Sequence, residues 1–246
     1  TLATSAVCLA LIKRRFNSDG LPQRANILAD IGEGLRYVWS HPVLRNISLM
    51  MALVNLVSTT VFAQVVVFAT ERYGASESQV GLFYSAGSAG VVLLALTAGP
   101  LRRRLNFSVV ALGALCLQGL LIVALAFTPW YWLGLPLWAV IMGLGILFNI
   151  NAGSLRQSIV PSHLLGRVIS VAMVIAWSAN PLGALIGGLA IERTGDVALV
   201  YAAIGAIVAI IPLGFALTPL GRAEQFIPAA AAAVNTDADP QAAASA

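Results

Sequence analysis

The chain has 246 residues, of which 59% are hydrophobic and only 10% charged, and its formal net charge is +4. Soluble domains average roughly 45–50% apolar and about 25% charged residues, so a soluble fold of this size would lack a polar surface. The surplus of cations does not point to nucleic acid, because the basic residues are spread between apolar runs and not gathered on one polar face.

Residues 1–12 are uncharged and are followed at once by Lys13, Arg14 and Arg15. A secretory signal carries its cations ahead of its apolar region, so residues 1–15 read as the end of a preceding transmembrane helix with its cytoplasmic cap. On this reading the chain continues from a segment upstream. Cys8 and Cys116 both lie in apolar runs and read as buried thiols.

Residues 16–45 are expected to form a cytoplasmic loop containing an amphipathic helix. Within "NILADIGEGLRYVWSHPVLR" (26–45), Ile27, Ile31, Leu35 and Trp39 recur every four residues, while Asp30, Glu33, Arg36 and Arg45 lie elsewhere. That pattern predicts a helix lying along the membrane surface, ended by Pro42.

Residues 46–225 are expected to form a bundle of six membrane-spanning helices, making the chain an all-α membrane protein. A span needs roughly 20 apolar residues. Uncharged runs of that order cover 46–70, 78–101, 168–191 and 197–221. The uncharged run 105–155 is too long for one crossing, since as a single helix it would reach ~76 Å. It must fold back at "FTPWYW" (127–132), where Pro129 breaks the helix and the aromatic residues suit the membrane interface. Residues 226–246, alanine-rich and without an apolar face, read as a disordered cytoplasmic tail.

Following the chain through these spans places twelve of the fourteen Lys and Arg residues on one side, leaving only Arg72 and Arg193 on the other. By the positive-inside rule the richer side is cytoplasmic. The run Arg102, Arg103, Arg104 then lies in a cytoplasmic hairpin between the second and third spans.

Within the predicted spans there is no Asp, Glu, His, Lys or Arg. His41 and His163 fall in cytoplasmic loops without a ligand pattern, and no phosphate-binding GxxxxGK[ST] occurs. Neither a catalytic residue, a metal site nor a cofactor is expected. Uncharged polar residues do occur there. Ser48, Asn55, Ser58 and Thr59 fall within one arc of the first span, and Gln118, Asn149 and Asn180 stand singly in the third, fourth and fifth. They suit either a weakly polar cavity wall near the midplane or helix-to-helix hydrogen bonding. Gly183 and Gly187 form a GxxxG pair, and Gly145, Asn149 and Gly153 share a face. Small residues of this kind let helices approach closely in lipid, and Pro181 and Pro212 are expected to bend their spans.

Three stretches carry a family resemblance. "EGLRYVWSHPVLR" (33–45) resembles the central-loop helix that leads into the seventh span of major facilitator superfamily transporters. "RQSIVPSHLLGRVIS" (156–170) is similar to the loop before their eleventh span, with Pro161, Gly166 and Arg167 at the family positions. "NPLGALIGGLAIERTG" (180–195) resembles their glycine-rich eleventh span. In this order on these spans, the chain resembles the second half of the twelve-helix fold, closest to the bacterial drug-efflux branch that includes the enterobactin exporter. The triple arginine matches the repeated cytoplasmic loop motif: Gly99 stands at its first glycine and Arg104 at its base. Arg103 occupies the position of the acid and Asn106 that of the second glycine.

The resemblance implies a secondary active exporter of small amphiphilic molecules such as drugs or siderophores, working by alternating access in the bacterial cytoplasmic membrane. Its partners would be the lipid bilayer, the substrate and an N-terminal six-helix half, which would carry any proton-coupling acid. The terminal segments would be cytoplasmic. Asn55, Ser58, Thr59, Gln118, Asn149 and Asn180 would line the substrate site. Gly99, Arg104, Pro161, Gly166 and Arg167 would belong to the cytoplasmic loops and gate. Two other classes remain compatible with the residues: a non-transporting membrane scaffold, and the membrane part of an ATP-driven pump.

Overall fold

A computed structural model of the chain describes residues 27–226. The expected helix stub at 1–15, with Cys8, and the tail beyond Phe226 lie outside the described residues. Every regular element within them is helical: α1 (Ile27–Ser40), α2 (Pro42–Ala63), α3 (Val65–Tyr73), α4 (Glu77–Arg104), α5 (Phe107–Phe127), α6 (Tyr131–Ile159), α7 (Ser162–Trp177), α8 (Asn180–Thr194), α9 (Val197–Ala216) and a terminal 3-10 segment, Pro219–Phe226.

Six segments are long and apolar enough to cross a membrane: Pro42–Ala63, Glu77–Leu101, Phe107–Phe127, Tyr131–Ile159, Ser162–Thr194 and Val197–Ala216. Their outward faces carry large apolar side chains such as Leu96, Val174, Ile186 and Ile210, with Leu96 72% exposed. A continuous apolar exterior is unfavourable in water and suits hydrocarbon, where α-helices satisfy their own backbone groups. The fold-back in the 105–155 run falls where the sequence places it, with α5 ending at Phe127 and α6 starting at Tyr131.

Two spans are interrupted. The first breaks at Gln64, whose φ of −104° and ψ of 16° leave the helical region. One turn earlier, the Thr59 hydroxyl donates to the carbonyl of Asn55 at 2.7 Å, a back-bond that bends helices. Backbone bonds continue across the break, from Gln64 N to Thr60 O and from Phe68 N to Gln64 O, so it acts as a bend. The fifth span breaks at Ser178–Ala179. Pro181, in the first turn of α8, cannot donate to α7, so the two helices separate there. By contrast, α9 runs through Pro212 to Ala216.

Packing pairs α4 with α6, α5 with α9 and α6, and α2 with α8, α9 and α7, while α1 lies on α7. Glycines set the closest approaches. A Cβ at Gly183 would overlap the Leu56 carbonyl, and one at Gly187 would overlap the Thr60 side chain. Thr60 Oγ1 donates to the Gly183 carbonyl at 2.9 Å, so the α2–α8 seam is both tight and hydrogen-bonded. The same device joins α5 to α9 through Gly119 and Gly205, and α4 to α6 through Gly90 and Gly143. None of these four stands out in the sequence. At the end of the bundle where α3 closes, Phe68 stacks on Tyr201 with centroids 4.3 Å apart, and Tyr201 donates its hydroxyl proton to Val61 O at 2.8 Å.

The opposite end is closed by chain on both sides. In the terminal segment Leu220 and Ala223 are fully buried. Glu224 reaches the start of α5 and accepts a hydrogen bond from Ser108 N at 3.0 Å, placing a carboxylate at a positive helix terminus. Phe226 meets His41 edge-on at 6.0 Å. Helix α1 docks on the bundle through residues beside its apolar four-residue stripe. Val38 is fully buried, and a Cβ at Gly34 would come within 3.0 Å of the Arg167 carbonyl. Ile31, Leu35 and Trp39, by contrast, remain about half exposed. The face packed on the bundle is therefore centred on Gly34 and Val38, and Ile31, Leu35 and Trp39 lie along its flank.

Candidate functional site

A cavity of about 280 Å³ opens between α2, α5 and α6, with Val91 of α4 at its edge. Its polar lining comes from Asn55 and Ser58 on α2, Gln118 on α5 and Asn149 on α6. Each carboxamide donates one hydrogen bond to a backbone carbonyl. Asn55 Nδ2 reaches Ala176 O at 2.8 Å, Gln118 Nε2 reaches Ile141 O at 3.0 Å, and Asn149 Nδ2 reaches Gly145 O at 3.0 Å. These bonds hold the amides in place, and their oxygens accept nothing from the described residues. Gly145 adjoins Gln118, since a Cβ there would lie 3.1 Å from Nε2, so a larger residue would crowd the amide.

The remaining walls are apolar, including Met51, Phe62, Met142 and Phe148. A second cavity of about 400 Å³ shares Phe62, Val91 and Met142 with the first and continues toward Tyr84 and Trp138. Together they form an apolar surface dotted with fixed hydrogen-bonding groups, the usual make-up of small-molecule sites. Methionines add adaptability, because their unbranched thioethers re-pack around ligands of different shape.

Of the polar residues singled out in the sequence, Asn55, Ser58, Gln118 and Asn149 therefore meet in one place. Thr59 turns its hydroxyl back to its own helix, and Ser48 is buried away from the cavity. Asn180 starts α8, with its Oδ1 buried and unpartnered. No carboxylate, imidazole or amine lines the first cavity, and no cluster suited to a metal ion occurs among the described residues.

The loop residues are dispersed. Gly99 is exposed near the end of α4, and Arg104 is that helix's last residue, with its side chain outside the described set. Pro161 caps α7, and Gly166 is exposed on it, with open space around a would-be Cβ. Arg167 has a defined partner set, pairing with Asp30 at 2.7 Å and with Glu33. These pairs fasten α1 to α7 at the solvated end, where each is worth about 0–1 kcal/mol.

One expectation is corrected. The sequence puts Arg156 just past the uncharged run 105–155, on the cytoplasmic side and beyond the end of the fourth span. In the structure α6 continues to Ile159, and Arg156 is inside it, only 6% exposed. The uncharged run ends at residue 155, but the helix does not end with it. Nothing in the local sequence separates a loop arginine from one in the last turns of a helix.

Six apolar membrane-spanning segments, with an uncharged, amide-dotted cavity lined by α2, α4, α5 and α6, define a multi-pass membrane bundle. The sequence model of the Major Facilitator Superfamily matches residues 1–184, and the chain belongs to that family of transporters. It is 30% identical over 197 residues to the multidrug efflux pump Tap of Mycolicibacterium fortuitum, a match covering 76% of this chain and 46% of the relative. It is 26% identical over 207 residues to the multidrug efflux pump Tap of Mycobacterium tuberculosis, covering 76% of this chain and 45% of that one. The chain thus spans about half the length of the curated relatives it matches.

Proposed function

We propose that this bundle supplies one wall of the substrate site in a drug-efflux transporter, working with a preceding six-helix half by alternating access. The observation that carries the reading is the convergence of Asn55, Gln118 and Asn149 on one apolar cavity without a titratable group. Such a surface accepts amphiphiles of varied shape through burial, and orients them through a few hydrogen bonds. The apolar walls favour drug-like molecules over strongly polar chelators such as siderophores. Proton coupling needs an intramembrane acid, which in this reading is carried by the partner half. The test is protection by substrate: a cysteine at position 149 should react more slowly with maleimide when ethidium, as a model drug, is bound.

In this reading the end that holds α1 and the terminal segment is cytoplasmic. Single cysteines at Ser76 and Asn106, in a background lacking Cys8 and Cys116, should label from opposite sides of intact cells. An impermeant maleimide added outside should reach position 76 and leave position 106 unmodified. Labelling of position 106 from outside would reverse the orientation.

A further inference from the structure

We propose that Arg156 forms an anion subsite at the end of the cavity and takes the carboxylate of an amphiphilic ligand. Arg156 lies seven residues beyond Asn149 on α6, two turns along and on the same face. Met51 lies one turn before Asn55 on α2 and also lines the cavity. Arg156 Nη2 donates to Met51 Sδ at 2.9 Å, so the guanidinium sits one side chain behind the cavity wall.

Among the described residues nothing answers its charge. The side chain is 6% exposed, and its Nε is buried without a hydrogen-bond partner among the described residues. Both ion pairs found among those residues belong to Arg167. A thioether is a weak acceptor and no counter-charge, and buried cations in proteins are paired. A guanidinium also offers a planar fork that matches a carboxylate through two parallel hydrogen bonds. Met51, flexible and unbranched, is the gate between that fork and the cavity. A ligand whose apolar body fills the cavity between Val54, Leu115 and Phe148 would carry its acid group past Met51 to Arg156. The same carboxylate chemistry could come from an acidic side chain outside the described residues, and the test separates the two sources.

The proposal rests on the cavity being the substrate site. The intact protein in lipid nanodiscs would be titrated with dansyl-undecanoate and with its methyl ester, which share the apolar body and differ at the head, where the ester is neutral. The acid should bind roughly 10- to 100-fold more tightly than the ester, the gain of a charge-assisted hydrogen-bonded pair. Arg156→Gln should erase that preference while leaving ester binding intact, and Arg156→Lys should keep part of it. A preference that survives Arg156→Gln would overturn the proposal. Equal binding of acid and ester to the unaltered protein would sink the Arg156 assignment and leave the cavity reading standing, whereas binding of neither probe would remove both. Thermal unfolding without ligand gives a second arm. Removing an unpaired buried charge by Arg156→Met should raise Tm by about 2–4 °C. A marked fall would mean that a carboxylate of the protein already pairs with Arg156, which also overturns the proposal.

Discussion

Valine at position 183 should leave little folded protein in the membrane, whereas valine at position 188 should be tolerated. The two glycines lie five residues apart on α8 and face different surroundings. A Cβ at Gly183 would overlap the backbone carbonyl of Leu56, which cannot swing aside, while the nearest atom to one at Gly188 is Gln64 Nε2 at 3.8 Å. Relief at Gly183 requires α2 and α8 to move apart. That separation also breaks the hydrogen bond from Thr60 to the Gly183 carbonyl. Overpacking of this kind costs about 1–3 kcal/mol, and the interhelical bond adds ~0.6 kcal/mol in lipid. The measurement is the yield of monodisperse protein after detergent extraction, with the thermal midpoint of what remains. Similar losses at 183 and 188 would mean that the α2–α8 seam is not set by close backbone approach.

The second large effect is expected at Asn55. Its side chain lines the cavity and caps α7, since Nδ2 donates to the carbonyl of Ala176 just before the break at Ser178–Ala179. That carbonyl is among the last of α7, which have no partner within their own helix. Asn55→Leu removes both the cap and a polar point on the cavity wall. Leaving a buried carbonyl unsatisfied costs about 1–3 kcal/mol, so the thermal midpoint should fall and efflux should drop by roughly tenfold or more. Asn149→Leu makes a clean comparison, because Asn149 bonds only within its own helix. It should weaken efflux with little effect on stability. If Asn55→Leu were as stable and as active as the unaltered protein, neither the cap nor the wall would matter.

Much of the fold was legible because crossing a membrane needs length and apolarity, both visible in the sequence. The fold-back at Pro129 and the alternation of arginines needed no knowledge of packing. Which side of each helix meets its neighbours was far less legible. In these spans lipid-facing and protein-facing surfaces are both apolar, so the periodicity that marks a buried face in water fades. Gly119, Gly205, Gly90 and Gly143 therefore looked no different from Gly113 or Gly214, which have open space around them. The cavity was partly legible, since Asn55, Gln118 and Asn149 stand out as amides among aliphatic residues. Its apolar lining, Met51 and Phe62 included, carried no signal. Helix α1 shows a periodic stripe, but its contacts with the bundle, through Gly34, Val38 and the Asp30–Arg167 pair, run beside that stripe and carry no periodic signal of their own. The place of Arg156 inside α6 was not legible, because charge counting ends a span where an apolar run stops.

The most direct measurement is the rate at which N-ethylmaleimide modifies a cysteine at position 149, in the intact transporter lacking Cys8 and Cys116, with and without ethidium. Asn149 is exposed to the cavity and makes no bond to another helix, so the substitution leaves the packing undisturbed. With ethidium at ten times its dissociation constant, about nine-tenths of the sites are filled, and labelling should slow by about tenfold. A cysteine at Ser76, in the loop before α4, should react at the same rate throughout. Unchanged labelling at position 149 in protein that still exports ethidium would contradict the account, because the substrate would then pass elsewhere.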